Sequence, residues 1–193
     1  MIGRPIEELA VGDSAELSRV VSREAVRGFV EATGDANPLH SDPAFAAQTR
    51  FGEVIAPGIL TGSFVSAVIG TRLPGPGTIY ISQEFRFRRP VRFGETITAR
   101  VEVVELEPER NRARLRTVCR NQAGEVVLEG EALVLPPTRP IRYEAPETAA
   151  GAWSRLALAA WRWGFAAALG VAVGPIFAPR PADSGLPLPE PSE

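Results

Sequence analysis

Residues 57–71, PGILTGSFVSAVIGT, constrain this chain more than any other stretch: they are apolar throughout, interrupted only by small Ser, Thr and Gly residues. The run suits about four turns of helix and has no charged side to offer water, so it must be covered by other elements. The C-terminal neighbours of this run supply the cover. Residues 77–88, 95–106, 112–120 and 126–135 alternate apolar and polar side chains, the pattern of strands that bury one face. Val101, Val103 and then Leu106 are spaced by acids, and Ala113, Leu115, Thr117 and Cys119 interleave with Arg112, Arg114, Arg116 and Arg120. Turn chemistry at residues 92–94, 107–111 and 121–124 separates the strands. Antiparallel hairpins curled round one apolar helix are an α+β solution that buries the helix.

The chain before the helix is organised by caps. Residues 14–21 have the pattern of a short strand. Ser22 is placed to cap a helix, Glu24 stands in its first turn where the helix dipole favours an acid, and Val26, Phe29 and Val30 form its apolar stripe. Gly34 should end it. A loop, Asp35-Ala36-Asn37-Pro38-Leu39-His40, leads to a short helix around residues 43–47.

Beyond residue 136 the composition changes. Pro136-Pro137-Thr138-Arg139-Pro140 opens an expected stiff linker over residues 137–151, which leaves residues 1–136 as the folded domain. Residues 152–178 are rich in Ala, Trp and Gly and are expected to be an apolar helical segment; the Pro-rich tail at 179–193 is expected to be disordered. The uncharged run 163–178 falls short of the roughly 20 residues that cross a bilayer comfortably. Three roles stay open for it: an interfacial helix with Trp and Arg at a membrane or lipid inclusion, a marginal span, or an arm packed on the domain. The N-terminus carries acids and lacks the apolar core of a signal peptide, so a cytoplasmic location is expected, with attachment at a membrane or lipid surface through 152–178 as the variant.

A net charge of −2 gives no overall electrostatic case for nucleic acid. Cys119 is the single cysteine, so neither an internal disulfide nor a Cys/His metal spacing exists; the residue is expected to be a small buried apolar group. The alternating arginines of residues 112–120 are expected to be an exposed strand face, since no aromatic platform accompanies them. Arg72, Arg86, Arg88, Arg89 and Arg92 cluster nearby and offer either a phosphate or carrier-protein contact or an ordinary solvated face.

The segment that carries chemistry is Thr33-Gly34-Asp35-Ala36-Asn37-Pro38-Leu39-His40-Ser41-Asp42. It holds the chain's one His, the side chain best suited to exchange protons near neutral pH, with an Asp five residues earlier. Spacing alone leaves this open, because Asp-x-Asn-Pro is also common turn chemistry.

Here the sequence resembles a known family. The run Ala32-Thr33-Gly34-Asp35-x-Asn37-Pro38-Leu39-His40-x-Asp42-x-x-Phe45-Ala46 is similar to the hydratase-2 motif of the MaoC-like family, which includes the (R)-specific enoyl-CoA hydratases. Phe51-Gly52, Ile55 to Leu60, Leu73 to Tyr80 and Phe87-x-x-Pro90-Val91-x-x-Gly94-Glu95 extend the likeness over about residues 5–136. The resemblance implies a hot-dog fold, a homodimer with the substrate tunnel at its interface, and no metal or redox cofactor. Its substrate would be an acyl-CoA or acyl-carrier-protein thioester. Carried over by position, Asp35 and His40 would be the acid/base pair, Asn37 would support their geometry, the Gly58 backbone N–H would face the thioester carbonyl, and Ser63 would line the tunnel. Pro57 stands where relatives commonly have His; Pro fits a first helical turn, and the change bears on acyl-chain choice more than on reaction class. Arg86 and Arg88 are the expected contacts for the carrier end. The expected activity is reversible hydration of trans-2-enoyl thioesters to (R)-3-hydroxyacyl thioesters. The alternatives are a dehydratase of a fatty-acid or polyketide-like synthesis pathway and a non-catalytic acyl-thioester-binding module.

Overall fold

Alternation in the sequence becomes one five-stranded antiparallel sheet. The computed structural model describes residues 1–144. They contain β1 (Ile2–Gly3), β2 (Ser14–Val20), α1 (Arg23–Thr33), α2 (Pro43–Ala46), α3 (Gly58–Thr71), β3 (Ile79–Phe87), β4 (Thr96–Glu107), β5 (Arg112–Arg120), β6 (Val126–Leu135) and β7 (Ile141–Arg142). The sheet order is β2-β4-β5-β6-β3, so β3 leaves its sequence neighbour and pairs on the far side with β6. β5 and β6 match their expected bounds, β2, β3 and β4 differ at their ends by one or two residues, and β1 and β7 were not expected.

The two faces of the sheet divide by chemistry. On the inner face Ala99, Val101 and Val103 stand opposite Cys119, Thr117 and Leu115, and all six are fully buried. On the outer face the arginines of β5 are answered by acids across the strand. Arg116 lies 2.8 Å from Glu102 and Arg114 lies 2.8 Å from Glu105. The Arg116 guanidinium hydrogen-bonds the Glu102 carboxyl and holds it below the usual carboxylate range. These exposed pairs set cross-strand register and add little stability.

α3 lies on the inner face, packed against β2, β3, β4 and β5, with Leu60, Val65, Val68 and Ile69 buried. It packs closely because its glycines leave room for rings. A Cβ at Gly62 would stand 2.7 Å from Phe85, and one at Gly58 would stand 2.8 Å from Phe87. The expectation that the helix is covered all round is not met within a single chain. Ile59 is 56% exposed, and Ser66 and Gly70 are also exposed, because the sheet reaches only one side.

Part of the expected linker is folded. Ile141–Arg142 pair with Ile2–Gly3, the Met1 amino group donates to the Tyr143 carbonyl, and Ile141 lies against Gly77. The prolines before β7 turn the chain back onto the domain instead of leading it away. The rest of that linker, the apolar segment at 152–178 and the tail at 179–193 lie outside the described residues. Among the described residues, no helix is long and apolar enough to cross a membrane.

Candidate active site

Three elements present the site: the loop after α1, the 3₁₀ turn at Pro38–His40, and the start of α3. Local hydrogen bonds hold the loop, whose residues are half-buried or exposed. Ser22 caps α1 by accepting from the Ala25 N–H, and Gly34 ends it in the left-handed region at φ 71°. The Thr33 hydroxyl donates back to the Phe29 carbonyl. Asp35 Oδ1 accepts the Asn37 N–H at 3.2 Å, and Asn37 Oδ1 accepts the Leu39 N–H at 3.1 Å. Asp42 then caps α2 by accepting from Ala44 and Phe45. The Ser22, Asp35, Asn37 and Asp42 side chains each fix the backbone two or three residues ahead. Asn37 therefore sets the geometry of the turn through its own cap and through the N–H it gives Asp35.

Two bonds aim the His40 ring. The Ile55 N–H donates to the Leu39 carbonyl, which ties the turn to the segment before α3. His40 Nδ1 lies 2.8 Å from the Ile55 carbonyl oxygen. A carbonyl can only accept, so Nδ1 carries a hydrogen, and in the neutral ring Nε2 is the acceptor. Nε2 lies 3.8 Å from Asp35 Oδ2; the His40 side chain is 10% exposed and that of Asp35 is 36% exposed. This separation is too long for a direct hydrogen bond. It suits two acceptors that share one water.

His40 also lines a cavity of about 220 Å³ together with Gly58, Thr61, Phe87 and Arg50. Gly58 is the first residue of α3, with Pro57 at the N-cap in an extended conformation and so just outside the first turn. The first N–H groups of a helix have no intrahelical acceptor and sit at the positive end of its dipole. Among the described residues, the Gly58 N–H has no partner.

Three of the expected contacts already have partners within the protein. Ser63 is not among the residues lining this cavity, and its hydroxyl donates to the Leu60 carbonyl at 2.6 Å. Arg86 points to Glu84 at 2.7 Å on the exposed edge. Arg88 lines the cavity but is held by Glu129, with its Nε 2.8 Å from the carboxylate. Arg89 and Arg92 are likewise paired, with Glu125 and Glu53. Sequence reasoning passed over Arg50. Its guanidinium lies over the Phe51 ring, 4.9 Å from the centroid, and it has no ion pair among the described residues. A basic residue immediately before the Phe51-Gly52 part of the motif was the available signal. Cys119 is buried inert beneath the site, its thiol pushed up to about 12 by desolvation. Among the described residues no His/Cys/Asp/Glu cluster has the makings of a metal site.

Comparison with known proteins identifies the family and the fold. The 3-hydroxybutyryl-CoA dehydratase of Methylorubrum extorquens is 53% identical over 133 residues, covering 69% of this chain and 84% of the relative. The (R)-specific enoyl-CoA hydratase of Rhodospirillum rubrum is 45% identical, covering 69% and 92%. Among solved structures, the unliganded R-hydratase PhaJ1 of Pseudomonas aeruginosa superposes with a TM-score of 0.71 at 43% identity, covering 76% of this chain and 94% of that one. The architecture is the expected hot-dog fold. The family model for the MaoC like domain matches residues 10–123, which span the Asp35–His40 loop, the central helix and most of the sheet, and the chain belongs to that family.

Proposed function

We propose that this chain is a hydro-lyase that reversibly hydrates trans-2-enoyl thioesters, as CoA or acyl-carrier-protein derivatives, to (R)-3-hydroxyacyl thioesters. The observation that carries the reading is the approach of Asp35 Oδ2 to within 3.8 Å of His40 Nε2, with His40 lining a cavity whose wall also includes the start of α3. A binding module needs neither group.

The chemistry derives from what each group can accept or donate. One water donates to Asp35 Oδ2 and to His40 Nε2, which leaves its oxygen lone pair free to attack C3 of the enoyl group. As the C3–O bond forms, the water proton passes to the pair, and the electrons of the C2=C3 bond move onto the thioester oxygen. The Gly58 N–H stabilises that charge at the positive end of α3. The pair then delivers a proton to C2, and the electrons return from oxygen to close the C2–H bond. The pair ends as it began. Run backwards, the same steps dehydrate a 3-hydroxyacyl thioester, so supply and removal of product set the direction. No step calls for a metal or redox group.

The carrier end of the thioester fits the rim where Arg50 and Arg88 stand. Arg50 is the better phosphate contact of the two, since Arg88 already has a carboxylate. A homodimer is part of the proposal. β3 is an edge strand with Ile79 and Ile81 exposed, and the uncovered side of α3 adds Ile59. A second copy paired along β3 would cover a sheet edge that is otherwise open to stray pairing.

The decisive experiment is incubation of the purified protein with crotonyl-CoA and with longer trans-2-enoyl-CoAs, with chiral analysis of the product. Hydration to the (R)-3-hydroxyacyl thioester is expected. An active protein giving the (S) product, or no hydration of any chain length, overturns the proposal.

A further inference from the structure

Thr61 is the most buried polar residue at the cavity. It is 2% exposed, and its Oγ1 has no hydrogen-bond partner within the protein. The contrast with neighbouring hydroxyls is sharp. Helical Thr and Ser usually satisfy themselves by donating one turn back. Thr71 does so to the Ala67 carbonyl at 2.6 Å, Thr33 to Phe29 at 2.7 Å, and Ser63 to Leu60 at 2.6 Å. Thr61 does not. A buried hydroxyl without a partner is costly, and valine would fill the same space without that cost.

Position gives the hydroxyl a use. Thr61 and Gly58 are three apart in α3, hence on one face of the helix, and both line the cavity that contains His40. The turn is also pinned from below, where the Cys119 thiol of β5 lies 3.8 Å from the Thr61 carbonyl and donates to it. The buried thiol stays protonated and so remains a donor. Thr61 is thus a fixed group on a rigid element, one turn beyond a free backbone donor.

We infer that the Thr61 hydroxyl is a second hydrogen-bond donor to the thioester oxygen of the substrate, acting beside the Gly58 N–H. The inference rests on the hydratase reading and adds a residue to it. When water adds at C3, the C2=C3 electrons move to the thioester oxygen, and two donors share the developing charge in place of one. The proton remains on Thr61 throughout; the hydroxyl donates a hydrogen bond and transfers nothing. Because the charge is greatest in the transition state, the contribution falls on kcat more than on KM.

The test compares Thr61→Val, which removes the donor and keeps the shape, with Thr61→Ser, which keeps the donor. Wild-type hydration is measured first with crotonyl-CoA and the longer trans-2-enoyl-CoAs; a wild type inactive at every chain length overturns the hydratase reading and this inference together. With an active wild type, Thr61→Val is expected to lower kcat by about 100-fold with KM little changed. Thr61→Ser is expected to stay within about tenfold of wild type, because the donor remains. Wild-type kcat in a folded Thr61→Val protein overturns the inference and leaves the hydratase reading standing. A vibrational measurement supplies a readout that packing would not move. In an Asp35→Asn background, bound crotonyl-CoA should show its thioester carbonyl stretch shifted down from the free value. Adding Thr61→Ser should preserve that shift, and adding Thr61→Val should remove much of it. An unchanged stretch with Thr61→Val overturns the inference whatever the kinetics.

Discussion

The centre of the sheet and the loop over residues 34–42 are held by different forces. Over residues 96–103 of β4 and along β5 every second side chain is buried, and the strands would keep their place if any one polar contact were lost. In the loop almost nothing is buried. Its shape comes from Asp35, Asn37 and Asp42, each capping the backbone just ahead of it. Burial gives a scaffold that tolerates surface change, and capping gives a loop that holds His40 at the cavity. The difference teaches that stability and chemistry are separable here, so substitutions should sort cleanly between them.

The largest effect should come from the pair itself. Asp35→Asn or His40→Ala is expected to lower crotonyl-CoA hydration by about 10²–10⁴-fold, the usual reach of acid/base catalysis. The melting temperature should stay near wild type, and a large fall in either variant would show that the loop carries more of the fold than its exposure suggests. Leu115→Ala tests the opposite region. It should lose about 2–5 kcal/mol of stability in denaturant unfolding, since Leu115 is fully buried under α3. Per folded molecule its activity should survive, and a loss of activity without a loss of stability would break the comparison. The smallest effect should come from Asp42→Ala, which removes the cap on α2 and should cost about 1 kcal/mol. It sharpens the contrast if the pair loses activity faster than the fold loses stability.

Much of this was legible in the sequence, for reasons particular to each element. The central helix was visible because its apolar run admits no other place. The bounds of α1 were visible because Ser22 and Gly34 are residue types that start and stop helices. Asp35 and His40 stood out as titratable groups in a short motif, and the structure brings their side chains to within 3.8 Å of each other, with His40 on the cavity wall. What escaped depends on register across the sheet. That β3 pairs with β6, which brings Arg88, just past the end of β3, within reach of Glu129, is signalled by no local pattern. The bulges between Tyr80 and Ser82 and between Val103 and Glu105 shift side chains by one residue without any Gly or Pro to mark them. β1 and β7 are two residues each, too short for periodicity to register. Thr61 looked like one more small residue of an apolar helix; only the fold shows its hydroxyl buried with nothing to bond.

The contact between Phe87 and Gly58 has a practical consequence for anyone dissecting the site. The ring rests where the first carbon of any larger residue at 58 would have to stand, so glycine there serves two purposes through one atom's absence. Exchanging it would push the ring aside, reshape the cavity wall and disturb the amide in a single stroke. The backbone donor is therefore genetically silent: it can be weighed only by replacing that amide with an ester through chemical synthesis, where the wall stays put.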